Sequence, residues 1–176
     1  MLALPFAPSL GTAQAVLRRS QHGSVSQTVN STQISLTYNR PVARGRTLFG
    51  GVVRLRWPWN PGADTATQIA FSRDVAIAGQ PLPAGSYTLW AIPDTAEWTV
   101  IFSTATDVWH VPYPTGQDAL RVTIVPTTGD HMETLAFHFP VVGPSSATLR
   151  LHWGATVIDI PIAVEAELEP FGAGLD

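Results

Sequence analysis

A period of two runs through this chain and constrains its fold more than any other feature. From Ser24 to Ile162 apolar and polar residues alternate in short runs broken by Gly, Pro or Asn, and no stretch keeps the spacing of a long amphipathic helix. Alternation puts successive side chains on opposite faces of an extended chain, so each run can bury one face only against a second layer. The pattern predicts strands at Ser24–Val29, Gln33–Tyr38, Gly51–Trp57, Thr67–Ser72, Val75–Ala78, Ser86–Ile92, Glu97–Phe102, Leu120–Val125, Thr134–Phe139, Ala147–Trp153 and Thr156–Ile162. Runs of this length and spacing suit an all-β fold, an antiparallel β-sandwich of about ten short strands with no long helix. Asn30-Ser31 is expected to close the first hairpin; with Thr32 it also spells a glycosylation sequon, but turn chemistry explains it better. Gly79–Gly85 reads as a stiff connection, and Ala163–Glu169 as one or two helical turns.

A chain of 176 residues makes one domain with one core. The expected organisation is an apolar leader or extended arm over residues 1–20, a sandwich over 21–163, and a tail over 164–176. Charged residues are 13% against 45% hydrophobic and the net charge is −3, so attraction for polyanions is weak and nucleic acid is not an expected partner. Cysteine is absent, which removes disulfides, thiolate nucleophiles and cysteine metal sites together.

The first fifteen residues resemble the apolar end of an export signal, with Ala13-Gln14-Ala15 as a small-x-small cleavage site but no basic start. Two readings stay open, a cleaved signal and a retained arm. In the second, Leu2, Leu4, Phe6, Leu10 and Leu17, joined by Phe171 from the tail, would pack on a protein partner or a membrane surface. The run is too short and too proline-broken for a transmembrane helix. Either reading implies an exported or periplasmic protein, in the second case peripheral on the periplasmic face of the inner membrane.

The basic residues carry the second signal. All ten are arginine, and Arg40, Arg44, Arg46, Arg54 and Arg56 crowd into one Gly- and Pro-rich segment. A guanidinium is a rigid planar fork of five donors, suited either to loop carbonyls that no regular ladder satisfies or to a bound anion. The residues that would frame an anion or sugar site are Tyr38, Arg40, Arg44, Arg46, Trp57, Trp59 and Asp64, the last also an acceptor for the guanidinium groups in the bracing reading. Gly45 and Gly62 are expected to hold backbone geometries that other residues resist, in either case.

Alternation also sorts faces. Val53, Leu55 and Trp57 are expected in the core, opposite Arg54 and Arg56. If the strands carrying Arg121, His138 and Arg150 are neighbours, those residues and His152 share one outward face, as a weak cationic patch or ordinary solvated positions. Trp90 and Ile101 lie opposite other apolar residues, so their strands read as central, or as covered by a terminal segment.

Searches for catalytic motifs fail. There is no His-Glu-x-x-His, Gly-x-Ser-x-Gly, phosphate-binding loop or dinucleotide fingerprint. His131 and Glu133 share a strand side and could begin a metal site, yet two polar residues near a loop are better read as solvated. Asp107 and His110 form a loop pair with no nucleophile beside them. No metal, cofactor or catalytic residue is therefore expected.

Tyr38-Asn-Arg-Pro41, Arg44-Gly-Arg46 with Phe49-Gly50, Trp59-x-x-Gly62-Ala63 with Ala66-Thr67, Leu82-Pro-Ala-Gly-Ser-Tyr-Thr-Leu89, Ile92-Pro93, Glu97-Trp-Thr-Val-Ile-Phe102 and Asp118-x-Leu-Arg-Val122 together resemble the bacterial DUF2911 family over Gln21 to Ile162. The resemblance implies an exported β-rich domain and brings no activity, substrate or cofactor. Where its pattern reads Trp-Arg-Thr-Gly-Ala-Asn-Glu-Ala-Thr, this chain has Trp59-Asn60-Pro61-Gly62-Ala63-Asp64-Thr65-Ala66-Thr67, so an arginine and a glutamate are replaced. The expected function is a non-catalytic accessory subunit that docks through its termini on a larger envelope or membrane assembly, such as a respiratory or photosynthetic complex. The alternative is a periplasmic binding module for carbohydrate or a small anion, with tryptophans as stacking platforms.

Overall fold

Two antiparallel sheets face each other in a computed structural model that describes residues 20–165. The strands are β1 (Gln21–Val29), β2 (Thr32–Arg40), β3 (Gln68–Phe71), β4 (Val75–Ile77), β5 (Gln80–Leu82), β6 (Gly85–Ile92), β7 (Trp98–Ser103), β8 (Asp118–Ile124), β9 (Thr127–Val142) and β10 (Ser146–Val164). One sheet has the order β1-β2-β3-β6-β7-β8, the other β5-β4-β10-β9. The described residues contain no helix, and the fold is the expected all-β sandwich. The N-terminal arm, with Leu2, Leu4, Phe6, Leu10 and Leu17, and Phe171 of the tail lie outside the described residues.

Alternation becomes a core as period-two logic requires. Ile34, Leu36, Ile69, Leu89, Val100, Phe102 and Val122 of the larger sheet face Leu135, Phe137, Leu149, Leu151, Ile158 and Ile160 of the smaller one. The first hairpin turns through Asn30 at φ 50°, with Val29 paired to Thr32 across the two-residue loop. β6 and β7 are interior strands, and their outer face carries a second small core of Ala66, Trp90 and Ile101. Its described cover is internal, not terminal: Val108 and Tyr113 pack on it from the segment between β7 and β8.

Four expectations are corrected. Gly51–Trp57 is not a strand. The chain turns back on itself there, Gly50 N–H donating to Val53 O at 2.8 Å and Val53 N–H to Leu48 O at 2.8 Å, so only Val53 reaches the core while Leu55 and Trp57 are exposed. Gln80–Leu82 is a strand, with Pro81 tolerated because β5 is an edge. Ala147–Trp153 and Thr156–Ile162 form one continuous strand, with register shifts around Gly154. Ala163 and Val164 extend that strand instead of starting a helix, and residues 166–169 of the expected turns lie outside the described residues.

Candidate functional site

After β2 the chain leaves the larger sheet and anneals to the edge of β9 in the smaller one. Leu135 N–H donates to Pro41 O at 2.9 Å and Ala43 N–H to Glu133 O at 2.7 Å, with Val42 bridged to Thr134. Pairing this stretch of an outer strand removes open backbone that would otherwise invite another chain. The Arg44 backbone N–H donates to Glu133 Oε1 at 2.6 Å. His131 Nε2 donates to Glu133 Oε2 at 3.0 Å, and this bond first, with the Arg44 N–H second, holds the Glu133 carboxyl below its ordinary range.

The guanidinium groups divide their work. Arg40 Nε donates to Leu135 O at 3.1 Å, while Arg46 donates from Nε to Ala43 O at 2.9 Å and from Nη2 to Val42 O at 2.7 Å. These contacts are internal bracing of a loop that cannot satisfy its own carbonyls. Gly45 sits at φ +68°, as its role in the turn requires. Gly62 is needed for a different reason: a Cβ there would lie 2.6 Å from Thr67 Oγ1 and 3.2 Å from Asn60 Oδ1.

The segment then crosses the end of the sandwich and is fixed by buried amides. Trp59 and Ala91 exchange two backbone hydrogen bonds of 2.8 Å. Asn60 Nδ2 donates to Leu89 O at 2.8 Å, and Asn60 Oδ1 accepts from Thr67 N–H at 3.0 Å. Asn39 Nδ2 donates to Ala63 O at 2.8 Å. Phe49, Trp59, Trp98 and Trp153 close the core beneath as one aromatic cluster, with Trp59 stacked on Trp153 at 6.1 Å between centroids.

This framework leaves an open cleft of about 440 Å³ whose described walls include Ser20, Arg44, Arg46, Val52, Trp59, Ala63, His110 and Val111, with Trp153 also on its lining. Arg46 commits two of its donors to bracing, and the other three of the guanidinium's five remain for a ligand. His110 Nδ1 lies 2.7 Å from Asp64 O. A carbonyl only accepts, so Nδ1 carries the proton of this contact. Among the described residues the buried Trp153 Nε1–H has no acceptor.

Of the seven residues anticipated for this site, Arg44, Arg46 and Trp59 are brought together in the cleft. Tyr38 is instead in the core, where its hydroxyl accepts from Phe137 N–H at 3.0 Å and its ring meets Phe137 edge-on. Arg40 braces the backbone at Leu135 O. Trp57 is 58% exposed, with Arg54 4.9 Å above its ring. Asp64 contributes its backbone carbonyl, which meets the His110 ring. Local pattern points to Trp153 only as a core residue and to His110 only beside Asp107, whereas the partner of His110 is Asp64.

The cationic face anticipated from Arg121, His138, Arg150 and His152 does not form. β8 belongs to the other sheet, where Arg121 Nε donates to Asp118 Oδ2 at 2.6 Å and Nη2 to the Tyr113 hydroxyl at 3.1 Å. Arg150 is neutralised by a two-point pair with Asp159, both bonds 2.7 Å, and His152 Nε2 donates to Asp130 O at 2.9 Å. Burial first, then Arg150 and His152, holds the His138 pKa below its ordinary value.

The two positions where the family pattern's arginine and glutamate are replaced lie on the pinned loop. Asn60 is buried and tethers it, whereas Thr65 is exposed on its outer side. No curated protein and no solved structure matches the chain. The family model described as "Protein of unknown function (DUF2911)" matches residues 20–162, most of the sequence. The chain belongs to the DUF2911 family.

Proposed function

We propose that this protein is a binding module for a small organic anion, held in the arginine cleft. The observation that carries the reading is the character of the lining. Arg44 and Arg46 line a space flanked by Val52, Val111 and the half-buried Trp59, with Trp153, whose buried N–H meets no acceptor among the described residues, also on the lining, and no carboxylate among the described residues lines it. Exposed guanidinium groups with no carboxylate beside them on the lining suit a ligand rich in acceptors, and the apolar flanks suit a carbon skeleton. A carboxylated sugar combines both, and its ring could rest on Trp59. The export expected from the apolar leader supplies the setting, a periplasmic or extracellular one. Docking on an envelope assembly through the termini rests on residues 1–19 and 166–176, which lie outside the described residues.

Calorimetric titration with D-glucuronate, D-galacturonate and inorganic phosphate tests the proposal. A hexuronate is expected to bind, and binding should weaken with added salt because both cations are exposed. Arg44→Gln removes a cleft cation while leaving intact the backbone N–H that holds Glu133, so the variant should fold normally and bind about tenfold or more weakly. Folded wild-type protein that binds none of these anions, or an Arg44→Gln variant with unchanged affinity, contradicts the reading.

A further inference from the structure

A second cavity, of about 310 Å³, opens on the outer face of the larger sheet, away from the arginine cleft in its chemistry. Strand register builds it. His22 pairs with Asn39 between β1 and β2, and Thr37 pairs with Gln68 between β2 and β3. Tyr38 between Thr37 and Asn39 points into the core, so its two neighbours face outward. Thr65, on the loop before β3, completes the wall.

No Asp, Glu, Lys or Arg is among the described residues lining this cavity. The polar residues on its lining are His22, Thr37, Asn39, Thr65 and Gln68, together with Tyr38, whose hydroxyl is already committed to Phe137 N–H in the core. Asn39 is the informative member. It is only 3% exposed, and its Oδ1 is buried with no hydrogen-bond partner. The amide cannot escape by flipping, because Nδ2 is committed at 2.8 Å to Ala63 O, which only accepts. A buried carbonyl without a donor destabilises the fold, and structures keep few such groups unless a water, ion or ligand uses them.

We propose that this cavity is a second binding site, for a small neutral polyhydroxylated ligand of monosaccharide size. A hydroxyl can give the hydrogen that Asn39 Oδ1 needs, whereas carboxylate and phosphate oxygens ionised at neutral pH have none to give. The surrounding hydroxyls and amides both donate and accept, which matches a ring of alcohols. The volume lies at the small end of the ligand-pocket range, room for one sugar ring and not a chain. Selectivity is therefore opposite to that of the arginine cleft, and the two sites are linked through Ala63, which lines the cleft and holds Asn39 by its carbonyl.

The test is a solution NMR titration of the full chain with D-glucose, D-galactose, D-mannose and myo-inositol, and in parallel with D-glucuronate. At least one neutral probe should shift the signals of Thr37, Gln68 and the Asn39 side-chain amide saturably. Thr37→Val and Gln68→Ala, at an exposed and a half-buried position, should keep the dispersed native spectrum and weaken that binding by about tenfold or more. Arg44→Gln should leave it unchanged, which separates this site from the anion cleft. The proposal is overturned if no neutral probe gives a saturable shift, if both cavity variants respond like wild type, or if glucuronate binds these residues as well as the neutral sugars do.

Discussion

Replacing Asn60 by alanine should be among the most damaging single changes outside the apolar core. Asn60 is 1% exposed, so water cannot easily take over its bonds. Its side chain satisfies Leu89 O at 2.8 Å and Thr67 N–H at 3.0 Å, and Thr67 Oγ1 in turn donates to Pro61 O at 2.9 Å. Truncation leaves two buried backbone groups unpaired at about 1–3 kcal/mol each, a loss of roughly 2–6 kcal/mol from a domain whose whole stability is of order 5–15 kcal/mol. A middle value of about 4 kcal/mol corresponds to a fall in Tm of roughly 8–16 °C for a domain of this size. Asn60→Asp should be no milder, since it keeps an acceptor for Thr67 but loses the donor to Leu89 and buries a charge. Urea unfolding followed by tryptophan fluorescence measures the first effect and a calorimetric scan the second. A stable Asn60→Ala protein that loses less than about 1 kcal/mol would show that the loop is held by something other than its buried amides.

Three further outcomes follow from single contacts. Tyr38→Phe removes the hydroxyl that accepts from the buried Phe137 N–H, and should cost about 1–3 kcal/mol in the same urea assay; no measurable change would remove Tyr38 from the account. His138 should titrate below its ordinary value of 6.5 in NMR, and Asp159→Asn, which deletes the one carboxylate that raises its pKa, should lower it further. Because the folded state then binds fewer protons than the unfolded one, the His138 contribution to stability is present above pH 6.5 and lost as pH falls through the folded pKa; a pKa at or above 6.5 would refute this. Tyr113 is pushed up to about 12, first by burial and then by donating to Asp118, so this tyrosine should ionise well above the ordinary tyrosine range in an ultraviolet titration. Its stabilising contribution is complete below pH 10 and lost as pH rises toward 12, and ionisation of all three tyrosines near 10 would contradict the contact.

The sandwich was legible because its strands bury one face each, and Leu135, Phe137, Leu149 and Leu151 declare that face by alternation alone. The same rule misread Gly51–Trp57, since alternation cannot tell a strand from turns whose apolar side chains remain exposed. It also split β10, because a glycine within a strand looks like a stop when it is in fact a bend. At the site, the crowding of Arg40, Arg44 and Arg46 foretold a guanidinium-braced loop, and the structure shows both that bracing and a cleft beside it. Asn39 and Asn60 were invisible for a physical reason. In sequence an asparagine beside Arg-Pro or Pro-Gly has the chemistry of a turn, and only burial reveals that its amide is replacing backbone pairing. His110 and Trp153 reach the cleft from segments far along the chain, and such pairing is set by topology that local pattern does not encode.

The claim that the arginine loop both braces the fold and offers an anion site is tested most directly at the indole nitrogen of Trp153. Its N–H signal should move downfield saturably as a hexuronate is added to the intact protein, in step with shifts at Arg44 and Arg46. An indole signal that stays fixed through a titration reaching saturation elsewhere on the protein, or that moves identically in Arg44→Gln, would contradict it.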